Sequence, residues 1–392
     1  MNELSRELFP HVPRGWEWST LEELPGVEVV GYGVNRPGRH EDSGIPMLRA
    51  GDIEGGRVRA AAQVLISRAV EEAHARTRLR CGDVVVVLVG RVGEAAVIKA
   101  HQAAWNVARS VAVVRCSDPG LAEWLRVWLA MPPARAWCAE NASGTVQQTL
   151  SLAALRRMPV PLPPVERRDL ILYAVRTIED KLDVNERIAK DAVALAGAHF
   201  AAMAKERQLW DKRSFNDVAQ ARTGVAAKPA SLTVEGAGTA WLAPADVLQN
   251  PLPYLDRTEK ALGGDPGHVC APGSVLVVAK AGEVQAAINQ VPVVAGRGVL
   301  ALRPAETVDR WWLLHEIRSR SAELSSLAQG TQARELSARA FLPAPVCWPP
   351  AELRHRFASL AEALYDRALE ASRQNCTLKE LSAELLRRAA PE

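Results

Sequence analysis

"GTVQQTLSLAALRRMPVPLPP", residues Gly144–Pro164, returns later in the chain as "GTQARELSARAFLPAPVCWPP", residues Gly330–Pro350. The two stretches align without a gap and agree at 9 of 21 positions, including the opening Gly-Thr, the Leu-Ser pair and the closing Pro-Pro. Upstream, "LRCGDVVVVLVGRVGEAAVI" (79–98) is echoed by "VCAPGSVLVVAKAGEVQAAI" (269–288), and "IPMLRAGDI" (45–53) more faintly by "TAWLAPADV" (239–247). The three matches keep their order. They mark an internal duplication with a period of roughly 190 residues.

Each copy reads the same way. Val84–Val89 and Val275–Val278 are β-branched runs after a Gly turn, as buried strands are. Helices are expected around Leu121–Met131 ("LAEWLRVWLAM") and at its counterpart Asp309–Leu327. Short strands between Gly/Pro turns fill the rest, so each copy opens with a mixed α/β globular domain.

After each Pro-Pro the character changes. Residues 165–212 contain no proline and a single glycine, Gly197. Positions 171, 175, 178, 182, 185, 189, 192, 196, 199 and 203 advance in steps of four and three, a coiled-coil-like seam. An unbroken helix of this length would reach roughly 70 Å. Leu353, Phe357, Leu360, Leu364, Ala371, Leu378 and Leu385 form a similar stripe in the second copy. A helix this long cannot be buried by one small domain, so the two are expected to pair, antiparallel, about a pseudo-twofold. Ile178, Leu182, Asn185, Leu360, Leu364 and Leu378 are the expected seam residues. Asn185 either fixes the register there or is a solvated residue on a differently phased face.

Composition excludes several classes. With 392 residues, 48% of them apolar, the chain has length for two domains and substance for a core. No apolar run reaches the ~18–20 residues of a membrane span. "MNELSRELFPHVPRGW" lacks the basic flank and apolar stretch of a secretory signal. The six cysteines are scattered with no C-x-x-C pair, which fits a reducing cytoplasm better than a zinc or disulfide framework. Net charge is +3. The basic excess lies in residues 12–164 (18 Lys/Arg against 15 Asp/Glu) and 213–350 (13 against 12), while 165–212 and 351–392 are balanced. That distribution is compatible with phosphate contacts. Arginine outnumbers lysine, which suits bidentate recognition, but a GC-rich genome gives the same bias.

Together, "GWEWSTLEEL", "GIPMLRAGDI", "LRCGDVVVVLVGRVGEAAVI" and "GTVQQTLSLAALRRMPVPLPPVERRDLI" resemble the specificity (S) subunit, HsdS, of type I restriction-modification systems. "IEDKLDVNERIAKDAVALAGAHF" (178–200) resembles the family's central conserved helix, and "NCTLKELSAELL" (375–386) its distal one. The resemblance runs from Gly15 to Leu386. It implies a first target-recognition domain (12–164), a central spacer helix (165–212), a second recognition domain (213–350) and a distal spacer helix (351–388). It also implies a non-catalytic subunit that reads a bipartite double-stranded DNA target. Two modification (methyltransferase) subunits would dock on the helices, and restriction subunits can join. S-adenosylmethionine is expected in the modification subunits and no cofactor in this chain. The alternative is an S-like scaffold of another methylation-linked phage-defence system, with weak or partly lost DNA reading. "RAGD" in the first copy becomes "APAD" in the second, so Arg49 has no basic counterpart at Ala243.

Motifs for chemistry of the chain's own are weak. "NPLPY" (250–254) approaches the Asn-Pro-Pro-aromatic loop of adenine methyltransferases, but Leu252 displaces the aromatic that must stack on a flipped base. "GYGVNR" (31–36) lacks the third glycine of a dinucleotide fingerprint and reads as a turn. No P-loop is present, and the eight histidines show no metal-ligand spacing.

DNA readers are sought among Arg/Lys for guanine and phosphate and Asn/Gln for adenine, on loops of a rigid domain. In the first copy these are Asn35, Arg36, Arg39, Arg49, Arg91, Lys99, Arg109, Gln147 and Gln148. In the second they are Lys260, Lys280, Arg297, Gln332 and Arg334. Trp241, Trp311 and Trp312 are expected in the core.

Overall fold

The computed structural model describes residues 15–59, 64–144, 147–227, 231–233, 238–250, 252–256, 258, 260–263, 267–280, 283–328 and 336–391. The chain divides into two compact units, residues 1–181 with 377–392, and residues 182–376. Both divisions fall inside long helices, Val165–Met203 and Ala351–Ala389.

In the first unit the valine run 84–87 is the centre of a four-stranded antiparallel sheet, in the order Val27–Tyr32, Val111–Cys116, Val84–Val87, Ala95–Val97. All four valines are buried because successive side chains leave opposite faces and both faces are covered. Val84 and Val86 join the cluster of Trp124, Trp128 and Leu155, whereas Val85 and Val87 join Leu48, Ile53 and Val107. The helix Pro119–Ala130 covers the first face, started by Asp118, whose carboxylate accepts from the Gly120 and Leu121 amides. Its Trp124 and Trp128 indoles donate to the Pro161 and Pro159 carbonyls at 2.7 and 3.1 Å. A three-stranded sheet, Val64–Ile66, Ile45–Leu48 and Asn106–Val107, supplies the second face.

The second unit repeats this plan. Val275–Lys280 is central in a five-stranded sheet with Ala219–Thr223, Val299–Pro304, Glu283–Asn289 and Tyr254–Leu255. Val275 and Val277 pack with Trp312, while Leu276 and Val278 pack with Leu242. Trp241, Trp311 and Trp312 are buried, as expected from sequence. The expected helix Asp309–Leu327 is two helices, Asp309–Ser319 and Ser321–Ser325.

The repeated phrase closes each unit. Ser151 caps a short helix by accepting from the Ala154 amide, and Ser337 does the same for Ala340. The following strand, Pro159–Leu162, pairs antiparallel with the unit's first strand, Glu17–Thr20; Pro345–Trp348 pairs likewise with Asp211–Ser214. Pro-Pro then ends the strand, and a long helix begins at the next residue.

The first long helix is shorter than expected. It stops at Met203 and passes through a 3₁₀ segment, Ala204–Leu209, before Asp211 enters its strand. At ~1.5 Å per residue its length is about 58 Å rather than 70 Å. Ile171, Val175, Ile178, Asn185, Ala189, Ala192 and Ala196 are buried as the seam requires, but Phe200 rather than His199 continues it. Within the second unit the helices run antiparallel, with Asn185 against Asn375 and Phe200 against Phe357. On the distal helix Phe357 and Ala371 are buried as the expected stripe requires, but its leucines are not. Ala358, Ala361, Tyr365, Ala368 and Asn375 are buried, whereas Leu360, Leu364 and Leu378, like Leu182, are half-buried at its flanks. Small alanines at the centre allow close approach and leave the leucines to seal the sides.

Candidate nucleic-acid interface

The sheets of the first unit bring three chain segments to one edge. Val34 pairs with Ala108 in parallel, and the parallel strands Ile45–Leu48 and Asn106–Val107 run alongside. The Val34 amide donates to the Val107 carbonyl at 2.6 Å, and the Ala108 amide to Leu48 at 2.8 Å. The residues that follow are Asn35, Arg49 and Arg109. All three are exposed. Arg109 Nη1 donates to Asn35 Oδ1 at 3.2 Å. Arg49 lies 3.6 Å from Asp52, whose carboxylate also accepts from the Arg49 amide at 2.8 Å. Gly33 is required for this arrangement, because an added Cβ would lie 1.9 Å from the Val107 carbonyl oxygen.

The neighbouring loops extend the edge. Arg36 and Arg39 follow Asn35 on an exposed loop, which is fastened by the Leu65 amide donating to His40 Nδ1 at 3.2 Å. Residues 147–150 run along the end of the valine strand, where the Gly90 amide donates to Gln148 O and the Leu150 amide to Leu88 O. This leaves Gln147 and Gln148 exposed at the same end of the sheet as Arg109. Arg91 stands there too, but its guanidinium is engaged with Glu94 at 2.7 Å and the Ile53 carbonyl at 2.7 Å, and lies 3.7 Å from Glu54. Lys99 does not join this group: it follows the strand end paired with Val84, at the opposite end of the sheet.

The second unit builds the same edge. Val225 pairs with Gly296 in parallel; the Val225 amide donates to Ala295 O at 2.9 Å, and the Gly296 amide to Leu242 O at 2.7 Å. A Cβ on Gly224 would lie 1.9 Å from Gly296 O, and the Ala243 amide donates to Asp246 Oδ2 at 2.7 Å. The residues in the three equivalent positions are Ala226, Ala243 and Arg297. Arg297 and Lys260 are exposed, and Lys280 ends its strand at the hairpin. Gln332 and Arg334 lie outside the described residues. Sequence reasoning missed Gly33 and Gly224. Their signal was the Gly-Val pair after a strand in "GYGVNR" and "RTGVAA"; the strand Val27–Tyr32 leads into an edge rather than a nucleotide-binding turn.

Tyr254 of "NPLPY" is buried, its hydroxyl donating to the Ala368 carbonyl at 2.9 Å and lying 2.7 Å from Ser372 Oγ. Held in this way, its ring is a core element rather than a platform for a base. Among the described residues, no group of three His, Cys, Asp or Glu could hold a metal ion, and no helix is long and apolar enough to cross a membrane.

The paired helices of the first unit carry a groove of about 470 Å³ lined by Leu170, Ile171, Ala174, Leu381 and Leu385, with Arg167, Glu384 and Arg388 at its rim. Leu170 and Leu381 of this groove are 61% and 53% exposed.

The fold and the repeated edge define an internally duplicated α/β protein with paired long helices. Its sequence is similar to that of the type I restriction enzyme EcoBI specificity subunit of Escherichia coli, with 26% identity over 185 residues. That match covers 47% of this chain and 39% of the relative's length. No family model matches the sequence. Among solved structures, the crystal structure of the type I restriction-modification S subunit from M. genitalium superposes with a TM-score of 0.56, at 12% identity, over 96% of both chains. The HsdS subunit from Thermoanaerobacter tengcongensis is 20% identical over 96% of this chain and 97% of its own, with a TM-score of 0.36. The chain thus resembles type I specificity subunits in sequence and shares their fold.

Proposed function

We propose that this chain is the non-catalytic DNA-specificity subunit of a type I restriction-modification complex. Each unit reads one half of a bipartite target, and the long helices dock modification subunits, which supply S-adenosylmethionine and the transfer of methyl to adenine. The observation that carries this reading is the exposed edge built twice from equivalent backbone hydrogen bonds, on a specificity-subunit fold. In the first unit that edge and its loops present Asn35, Arg36, Arg39, Arg49, Arg109, Gln147 and Gln148, residue types that suit base edges and phosphates. In the second, Arg297 and Lys260 are the described contacts. The apolar groove on the helices supports protein docking rather than phosphate binding.

The purified chain is tested for methyl transfer from S-adenosylmethionine to DNA, alone and with modification subunits. Transfer only in the complex is expected, and turnover by the isolated chain would contradict the reading. The alanines at 226 and 243 favour a second reading, a scaffold with partly lost DNA recognition. It predicts a complex whose methylation depends on the first half-site alone.

A further inference from the structure

The frame of the three-segment edge is the same in both units, so its positions can be compared one for one. Gly33 matches Gly224, Val34 matches Val225, and the Asp52 carboxylate over the Arg49 amide matches Asp246 over Ala243. The turn that follows also repeats: the Val111 amide donates to Ala108 O at 2.9 Å and the Val299 amide to Gly296 O at 3.0 Å. On this shared frame one exposed side chain is common, Arg109 and Arg297. Two differ: Asn35 becomes Ala226 and Arg49 becomes Ala243.

Two units that read different half-sites through one backbone frame must differ at the positions that discriminate bases. They can agree at positions that hold the phosphate backbone, which is the same in every sequence. We infer that Arg109 and Arg297 are the shared backbone contacts, whereas Asn35 and Arg49 determine base specificity in the first unit alone. Arg49 has the chemistry for it: a planar fork, half-exposed, beside a carboxylate that also holds the Arg49 amide. Asn35 accepts from Arg109 with its oxygen and keeps its amide nitrogen for a base acceptor. Alanine offers neither. The second half-site is therefore read through this edge by contact with the backbone only.

The inference rests on the proposed function, and its test separates the two. The complex with modification subunits is assayed for adenine methylation on duplexes carrying every single-base change in each half-site, and for DNA binding against salt. Arg49→Ala is expected to lower discrimination about tenfold or more at one base pair of one half-site. Arg49→Lys keeps the charge but not the fork, and is expected to relax the same position at nearly unchanged affinity. Arg109→Ala and Arg297→Ala are each expected to lower the salt slope by about one, and Arg297→Ala, in the unit whose shared frame holds no base reader, to weaken binding to all duplexes alike. Ala243→Arg is expected to alter preference only in the other half-site. A bipartite motif in the wild type with unchanged discrimination in both Arg49 variants would overturn the inference and leave the proposed function standing. Altered base preference in Arg297→Ala would also overturn it. A wild-type complex with no sequence preference would overturn both.

Discussion

Asp83 and Arg115 form a buried ion pair in the first unit, with bonds of 2.8 and 2.7 Å, and Arg115 also donates to the Arg78 carbonyl at 2.9 Å. The equivalent positions of the second unit hold Ser274 and the exposed Arg303. A serine is tolerated there because the arginine faces water. Asp83→Ser would instead strand Arg115 in the interior, at a cost of ~3–5 kcal/mol in unfolding free energy. A denaturant midpoint unchanged by that substitution would contradict the assignment. His315 offers a pH-dependent counterpart. Its ring lies against Phe200 and Phe357, its Nε2 is 3.1 Å from the Tyr365 hydroxyl, and burial pushes its pKa down to about 3. The unfolded imidazole binds a proton near pH 6.5 and the folded one does not, so its contribution is complete above that pH and is lost as pH falls toward 3. The loss approaches ~1.4 kcal/mol per pH unit. Between pH 7 and 4.5, urea midpoints of the wild type should fall faster than those of His315→Gln; parallel curves would disprove the linkage.

At the scale of the element, the helix seam joins mostly alanines and aromatics around one polar pair. Asn185 Nδ2 donates to Asn375 Oδ1 at 3.0 Å, and Asn375 Nδ2 to the Leu182 carbonyl at 3.2 Å. Of the two roles open to Asn185 on sequence grounds, the buried seam position is the one observed. Asn185→Ala would leave the Asn375 oxygen without this donor, costing ~1–3 kcal/mol. Replacing both asparagines by leucine should recover most of that stability while weakening the register, readable as new cross-linked pairs between cysteines placed along the two helices. An additive loss in the double variant would show that the two do not act together. The groove near Leu170 and Leu381 gives a second test. Leu170→Glu with Leu381→Glu should abolish co-purification with modification subunits while leaving the thermal midpoint nearly unchanged, since both side chains are more than half exposed. Retained co-purification would place docking elsewhere.

The seam also shows what the sequence could and could not disclose. A four-three spacing located the first helix's buried line through Ala196, because repeated apolar steps survive small errors of phase. On the distal helix it found Phe357 and Ala371 but set Leu360 and Leu364 on the line where Ala361, Tyr365 and Ala368 are the buried residues, because leucines attract a reading that favours size. The end of the first helix at Met203 was hidden for a similar reason. Nothing in "AKERQLWDK" breaks a helix; the chain leaves it to pair with Pro345–Trp348, far along the sequence. The candidate site was legible as residue types only. That Asn35, Arg49 and Arg109 meet while Lys99 stands apart depends on strand register, which no local pattern encodes.

For the whole molecule, duplication is the organising fact. Both units use one closing strand, one glycine-dependent edge and one Pro-Pro exit into a long helix, and they diverge at exposed positions of the edge. Exchange of residues 12–162 for the matching block of another specificity-type chain should therefore change one half of the methylated motif and leave the other half intact. A change in both halves would contradict independent reading. The most direct test of the central claim is the adenine methylome of cells expressing this chain with modification subunits. The account predicts one bipartite motif whose two halves are separated by a fixed number of unspecified base pairs. A contiguous motif, or methylation without any motif, would contradict it.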